Sequence, residues 1–248
     1  MTIIIPAIAA FLGIILGSFV NVLIFRLPRK EEVALTPSHC PSCQAKLKWF
    51  HNIPIASYII LHGKCAFCKN RISPQYPLVE LANGLLWLLI FCLAPEPLSF
   101  PPLLYALAAT VLLAISVIDA KTMTIPDSLN VTLLVIGILI NIAVFEWQFT
   151  QSALLAFFGL GGFFYLVSAI TGGGIGGGDI KLVAVIGLII GLGGTLIGVL
   201  IGMLTFSLVG IILRKRKMAF GPHLSVGFVT AMLYGTQIIE WYLSLFIQ

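Results

Sequence analysis

The chain has 248 residues, of which 59% are hydrophobic and 9% charged, and its mean hydropathy is +1.09. Soluble domains carry roughly 25% charged residues, so a soluble enzyme is excluded. The net charge of +5 would suit nucleic acid, but the placement of the charges supports a lipid bilayer as the partner and no nucleic acid.

In chain order, eight stretches supply apolar residues towards the roughly 20 that a transmembrane helix needs. They are Ile3–Phe25, Pro77–Leu93, Pro102–Ile118, Leu129–Phe145, Ser152–Ile170, Ile180–Leu192, Thr195–Leu213 and Leu224–Phe246. The first has no basic residue ahead of Arg26, so it reads as a retained helix and not as a signal peptide. The sixth is short, so it either begins inside a cavity or merges with its neighbour. The expected fold class is an all-α polytopic membrane protein of about eight transmembrane helices with a small cytoplasmic zinc-binding loop domain. Residues 1–25 form the first helix, 26–76 the loop and 77–248 the remaining bundle.

All 14 Lys and Arg fall in alternate gaps. The first gap holds eight, from Arg26 to Arg71. Lys121 follows the third span, Lys181 opens the sixth, and Arg214-Lys215-Arg216-Lys217 follow the seventh. The other gaps hold Glu96 and Glu146 instead. Basic residues stay on the cytoplasmic side, which places both termini outside.

The loop of about 50 residues is small for a self-sufficient core. It carries Cys40-Pro-Ser-Cys43 and Cys65-Ala-Phe-Cys68, two pairs separated by 21 residues. Two such turns can supply the four thiolates of a tetrahedral structural zinc site, and a reducing cytoplasm disfavours disulfides. A thiol-redox role is the alternative. Cys92 lies within the second span and reads as an apolar filler. His39, His51 and His62 share the loop and read as surface or hydrogen-bonded residues, with ligation in place of a cysteine as the alternative.

Asp119 ends the third span and Asp179 opens the sixth, after two glycine triplets, Gly172–Gly174 and Gly176–Gly178. An ionised aspartate at the centre of a membrane helix is unfavourable by about 2.5–3.5 kcal/mol. Opposite span directions put both carboxyls at the cytoplasmic boundary, as an aspartic dyad requires. In such a dyad one carboxylate takes a proton from water and the other carboxyl protonates the scissile carbonyl oxygen. Gly176, Gly177 and Gly178, with Lys181 just beyond, form the expected active-site loop, where small residues admit a substrate strand. The same carboxyls would serve a proton- or ion-coupled transporter, and these residues alone do not separate the two. Asp127, after Pro126, reads as a helix start, with a supporting site role open. Glu80 calls for a polar partner, a basic residue or a methyl-transfer site.

The wider pattern carries a resemblance. Gly17-Ser18-Phe19-Val20-Asn21-Val22, Phe25-Arg26-Leu27-Pro28, the paired CxxC, Asn52-Ile53-Pro54, Gly63-Lys64-Cys65 and Tyr76-Pro77-Leu78-Val79-Glu80 resemble the first part of type IV prepilin leader peptidases. The likeness resumes at Ile118-Asp119, Ile125-Pro126-Asp127, Gly176-Gly177-Gly178-Asp179-Ile180-Lys181-Leu182 and Phe220-Gly221-Pro222. It implies a bifunctional enzyme of the bacterial cytoplasmic membrane, acting at the cytoplasmic face. Such enzymes cleave type IV prepilins or pseudopilins after a short basic leader and methylate the new N-terminus with S-adenosylmethionine. By motif position Asp119 and Asp179 would be catalytic, and Cys40, Cys43, Cys65 and Cys68 would form the zinc region. The methyl-donor pocket would lie between the zinc loop and the bundle, with Glu80 as its candidate contact. The sequence does not indicate the oligomeric state, and a peptidase that cuts without methylating is a closer variant.

Overall fold

The computed structural model describes residues 3–33, 36–214 and 217–245. Lys215 and Arg216, used above for topology, and Phe246, the end of the last expected span, lie outside these residues. The described chain is built on helices: α1 (Ile4–Arg26), α2 (Ala56–Ile60), α3 (Gln75–Leu93), α4 (Phe100–Thr122), α5 (Asp127–Val144), α6 (Trp147–Leu154), α7 (Gly161–Ile170), α8 (Gly177–Leu213) and α9 (Gly221–Ser244). A π-helical stretch, Leu155–Leu160, joins α6 to α7.

Prolines mark helix starts, where a missing N–H leaves no hydrogen bond unmade. The first turn of α4 contains Pro101 and Pro102, that of α9 contains Pro222, and Pro126 immediately precedes α5. The α4 helix ends where Met123 adopts a left-handed conformation, φ 52°, and donates its N–H to the Asp119 carbonyl.

Among the described residues, six helical stretches are long and apolar enough to cross a membrane: Ile4–Arg29, Gln75–Leu93, Phe100–Thr122, Asp127–Val144, Trp147–Ile170 and Gly177–Leu213. The chain is therefore an all-α, multi-pass membrane protein with six candidate spans. The difference from the expected eight has two causes. The sixth and seventh expected stretches share the single 37-residue α8. The α9 helix falls short of the others in apolarity, because His223, Gln237 and Glu240 punctuate it.

By packing, the chain divides into two compact units, Met1–Leu98 and Ser99–Gln248. In the first, α1 and α3 run antiparallel in close contact. A Cβ at Gly13 would lie 2.7 Å from Trp87, and one at Gly17 would lie 2.7 Å from the Glu80 Cα. Asn83 Nδ2 donates to the Gly13 carbonyl at 2.7 Å, and Asn21 Nδ2 to the Tyr76 carbonyl at 3.1 Å. Small residues that let backbones approach, with polar side chains bonding across, are the usual adhesives between helices in lipid.

The second unit is organised by a reversal inside α8. Gly191 has φ 68° and ψ −178°, a conformation that belongs to no helix and that only glycine adopts readily. Before it, Ala184 meets Gly161, Gly187 meets Ala156 and Gly191 meets Ser152, so this half runs antiparallel to α6 and α7. After it, Gly193 meets Ile239, Gly198 meets Phe228 and Gly202 meets Leu224, an antiparallel pairing with α9. Because α9 starts against Asp119, Gly202 has returned to the end of the unit from which α8 set out. A straight helix rising about 1.5 Å per residue would have carried it about 35 Å away.

The tightest approach is at Gly227, where a Cβ would overlap the Gly198 carbonyl and stand 2.8 Å from the Gly202 nitrogen. Gly227→Ala is expected to lower stability by about 1–3 kcal/mol, the usual penalty for overpacking. Gly162, whose Cβ would meet nothing within 4 Å, supplies the control, and Gly162→Ala leaves stability unchanged or raised. Thermal unfolding of both variants in detergent is the measurement, and a Gly227→Ala midpoint equal to that of the parent would refute the packing argument.

Candidate active site and metal centre

Asp119 lies in the last turn of α4 and is 5% exposed. Its Oδ2 accepts the backbone N–H of Gly221, the first residue of α9, at 2.8 Å. A Cβ on Gly221 would lie 2.7 Å from that same oxygen, so only glycine leaves room for the carboxylate there. Phe220-Gly221-Pro222 was legible as a motif, but its role was not. The signal was a glycine just ahead of a proline that opens a helix, which frees one amide to face a neighbour.

Asp179 stands in the first turn of α8 and is partly buried. Carboxylates are favoured there by the helix dipole. The two aspartates lie close enough for the charge of Asp119 to act on Asp179. Two further contacts tie their elements together. The segment between α4 and α5 places Ile125 so that a Cβ at Gly178 would lie 3.0 Å from the Ile125 Cβ. Two residues later, Asp127 forms a 2.7 Å ion pair with Lys181 across α5 and α8.

The glycine loop divides by function. Gly172 and Gly173 adopt positive φ, 64° and 92°, and form the turn. Gly176 faces Asp179, where a Cβ would stand 2.9 Å from Oδ2. Gly177 has open space above it and Gly178 packs on Ile125. Lys181 is directed at Asp127, and both side chains are more than half exposed. Asp127 does occupy the first turn of α5, where its carboxylate is engaged by Lys181.

In the first unit the four cysteines converge, and their sulfur atoms all lie within 4.8 Å of one another. The two loops that carry them are copies of one design, offset by 25 residues. His39 bridges Lys46 as Lys64 bridges Arg71. The Cys40 N–H bonds the Ala45 carbonyl as Cys65 bonds Asn70, and Gln44 and Lys69 both turn at positive φ. The amides of Cys68 and then Phe67 are directed at the Cys65 sulfur and hold its thiol at about 6. Cys68 receives the Asn70 amide, yet desolvation and its neighbours Cys43, Cys65 and Cys40 push it up to about 11. Thiolates packed this closely repel one another until a cation joins them, and the donor set fits a divalent metal. None of the three loop histidines belongs to the sulfur cluster. Cys92 lies apart on α3.

Glu80 is 6% exposed on α3. It has no basic partner among the described residues. Its Oε2 accepts the Ile55 N–H at 2.7 Å, and the Ser18 hydroxyl also bonds its carboxylate. It borders a cavity of about 500 Å³ between α1, α3 and the cysteine loops.

Comparison with known proteins gives this geometry its context. Residues 11–94 match the family model described as Bacterial Peptidase A24 N-terminal domain, and residues 106–213 match Type IV leader peptidase family. The chain is similar to the prepilin leader peptidase/N-methyltransferase of Neisseria gonorrhoeae, 31% identical over 96% of this chain and 94% of that one. The proteins of that name from Pseudomonas aeruginosa and Bacillus subtilis are each 32% identical. Each match covers 94% of this chain, with 91% and 96% of the relatives respectively. The chain belongs to the type IV leader peptidase family. No solved structure matches significantly. The family boundary leaves α9 outside the peptidase match, although Gly221 of α9 holds Asp119.

For this family member, the sulfur geometry predicts one equivalent of tightly bound divalent metal per chain. Metal analysis of the purified protein, and the visible bands of a cobalt-substituted tetrahedral thiolate site, are the measurements. Cys43→Ser should reduce occupancy sharply, and a parent protein that holds no metal would contradict the assignment.

Proposed function

We propose that the chain removes the basic leader from type IV prepilins or pseudopilins with Asp119 and Asp179, and then methylates the new N-terminal amine. Family membership carries both activities, peptidase and N-methyltransferase, and gives no support to the transporter alternative. The observation that carries the catalytic assignment is the hold on Asp119, whose carboxylate accepts the Gly221 amide while its charge acts on Asp179.

The amide donor suits the ionised form of Asp119, which makes this residue the natural acceptor of a water proton. The resulting hydroxide attacks the scissile carbonyl carbon, and a protonated Asp179 donates to the carbonyl oxygen. The tetrahedral intermediate collapses with its C–N bond breaking: the proton held by Asp119 passes to the leaving amine, and Asp179 takes back a proton from a hydroxyl of the intermediate as the new carboxyl forms. This leaves the proton on the pair where the next cycle needs it. The Lys181–Asp127 pair, solvent-exposed and worth about 0–1 kcal/mol in stability, aligns the starts of α5 and α8 and does not touch the reacting atoms.

We further propose eight membrane passages. The two halves of α8 count separately because the chain reverses at Gly191, and α9 adds one because it pairs along the second half. The charge alternation supports cytoplasmic basic gaps, both termini outside, and the dyad at the cytoplasmic boundary, where a prepilin passes from basic leader to apolar helix. Zinc is the metal we assign to Cys40, Cys43, Cys65 and Cys68, as the staple of a loop too small to hold itself. S-adenosylmethionine, when bound, supplies the methyl group.

Asp119→Asn and Asp179→Asn should each abolish leader cleavage of a prepilin by the purified enzyme while the fold is retained. Gly221→Ala, which forces the carboxylate aside, is expected to slow cleavage by about ten- to a hundredfold, as misplacement near 1 Å does. Mass spectrometry of the mature product checks for one added methyl. Normal cleavage by either asparagine variant would remove the dyad assignment.

A further inference from the structure

The cavity between α1, α3 and the cysteine loops contains features that the fold does not need. Asn21, 3% exposed, lines it. Its Nδ2 is satisfied by the Gly17 and Tyr76 carbonyls, whereas its Oδ1 has no partner. A buried acceptor left unmatched is unfavourable, and such atoms call for a ligand or a water. Glu80 adds a carboxylate to the same lining. Such a group offers about four acceptor positions, and the Ile55 amide and Ser18 hydroxyl together occupy two of them.

Arg26, 5% exposed, is the cation of the lining. It donates to the carbonyls of Glu32, Val33 and Pro37. A guanidinium has about five N–H groups, so donors remain. Tyr58 and Tyr76 supply aromatic surface. The matching ligand is a zwitterionic amino acid joined to a donor-rich, cationic and partly flat body. Its carboxylate suits Arg26, its amine and hydroxyl donors suit Asn21 and Glu80, and its cationic centre suits a carboxylate and aromatic faces. S-adenosylmethionine has each of these parts, and a volume of about 500 Å³ falls within the range of about 300–1,000 Å³ for small-molecule sites.

A turn tied to the lining residue Glu80 is held under strain. Ile55, a β-branched residue, has φ 59° and ψ −52°, where such side chains are seldom found. Its N–H bond to Glu80 fixes that turn. Strained residues persist where surrounding contacts over-determine them, commonly at ligand clamps.

We propose that this cavity is the methyl-donor site, with Asn21, Glu80 and Arg26 as its polar contacts, an inference that rests on the methyltransferase reading above. Glu80 then acts twice, as a ligand contact and as the positioning residue for the Ile55 turn.

The test uses the full chain in lipid nanodiscs, without prepilin. Binding of radiolabelled S-adenosylmethionine is measured by equilibrium dialysis, and photolabelled sites are mapped by mass spectrometry. The expected results are a label within residues 18–80 and binding weakened about tenfold or more by Asn21→Leu and by Glu80→Gln. Retention of one metal equivalent in each variant shows that the adjacent loops are intact. If a variant loses its metal, the photolabel on the parent chain decides alone. A label confined to residues 99–248 overturns the inference and leaves the methyltransferase reading standing. The same holds for unweakened binding by both metal-retaining variants, or for a parent that methylates its product yet binds no donor. A parent that neither binds the donor nor methylates its product overturns both.

Discussion

The hydrogen bond from the Gly221 amide to Asp119 joins residues 102 positions apart, and the second unit depends on it. It connects the end of α4 to the start of α9. Through the α9 pairing with the returning half of α8, it also fixes where that half must run. An ionised carboxylate in an apolar bundle needs a donor. Supplying a backbone amide instead of a lysine or arginine satisfies the carboxylate without neutralising it. A cation at that position would have made a structural salt bridge. In the proposed mechanism the amide leaves Asp119 charged and available to a water.

The same preference for backbone over side-chain partners recurs in the first unit. Glu80 is held by an amide from Ile55, Arg26 by three carbonyls, and Cys65 by the amides of Phe67 and Cys68. The Lys181–Asp127 ion pair, by contrast, lies in exposed surface. Sites built this way demand close backbone approach, which explains where the unsubstitutable glycines fall. Gly17 lies against Glu80, Gly221 against Asp119, and Gly227 against the carbonyl of Gly198.

Much of the architecture was legible because its causes are local. Apolar length gave the helices, and two CxxC turns 21 residues apart announced the sulfur cluster. Asp119 and Asp179 were visible as carboxylates that an apolar chain has no structural reason to keep. What was not legible depended on partners distant in sequence. Nothing near Gly191 announces a reversal, because Gly191-Leu192-Gly193-Gly194 reads equally as a tolerated run in a membrane helix. The amide of Gly221 could not be matched to Asp119 without the fold. Asn21, within an apolar α1, gave no sign that one of its amide atoms would be satisfied and the other left open. The eighth expected span was legible from its apolar residues, although the polar residues of α9 lower its apolarity; its packing face, Leu224, Phe228 and Ala231, is buried.

A loop of about 50 residues has no room for a glycine-rich nucleotide fold, so a methyl-donor site must draw on other elements. The proposed cavity does so by borrowing its walls. Two membrane helices contribute Asn21, Arg26 and Glu80, and the cysteine loops close over them with Cys40, Tyr58 and Ile72. On the proposed reading, a metal in the sulfur cluster would bear on cofactor binding indirectly. Without it, the twin cysteine turns would have no common anchor, and the cavity would lose one wall while α1 and α3 stay paired. Zinc removal should consequently suppress methyl transfer more than cleavage, because the dyad is held by contacts within α4, α8 and α9, and the sulfur cluster provides none of them.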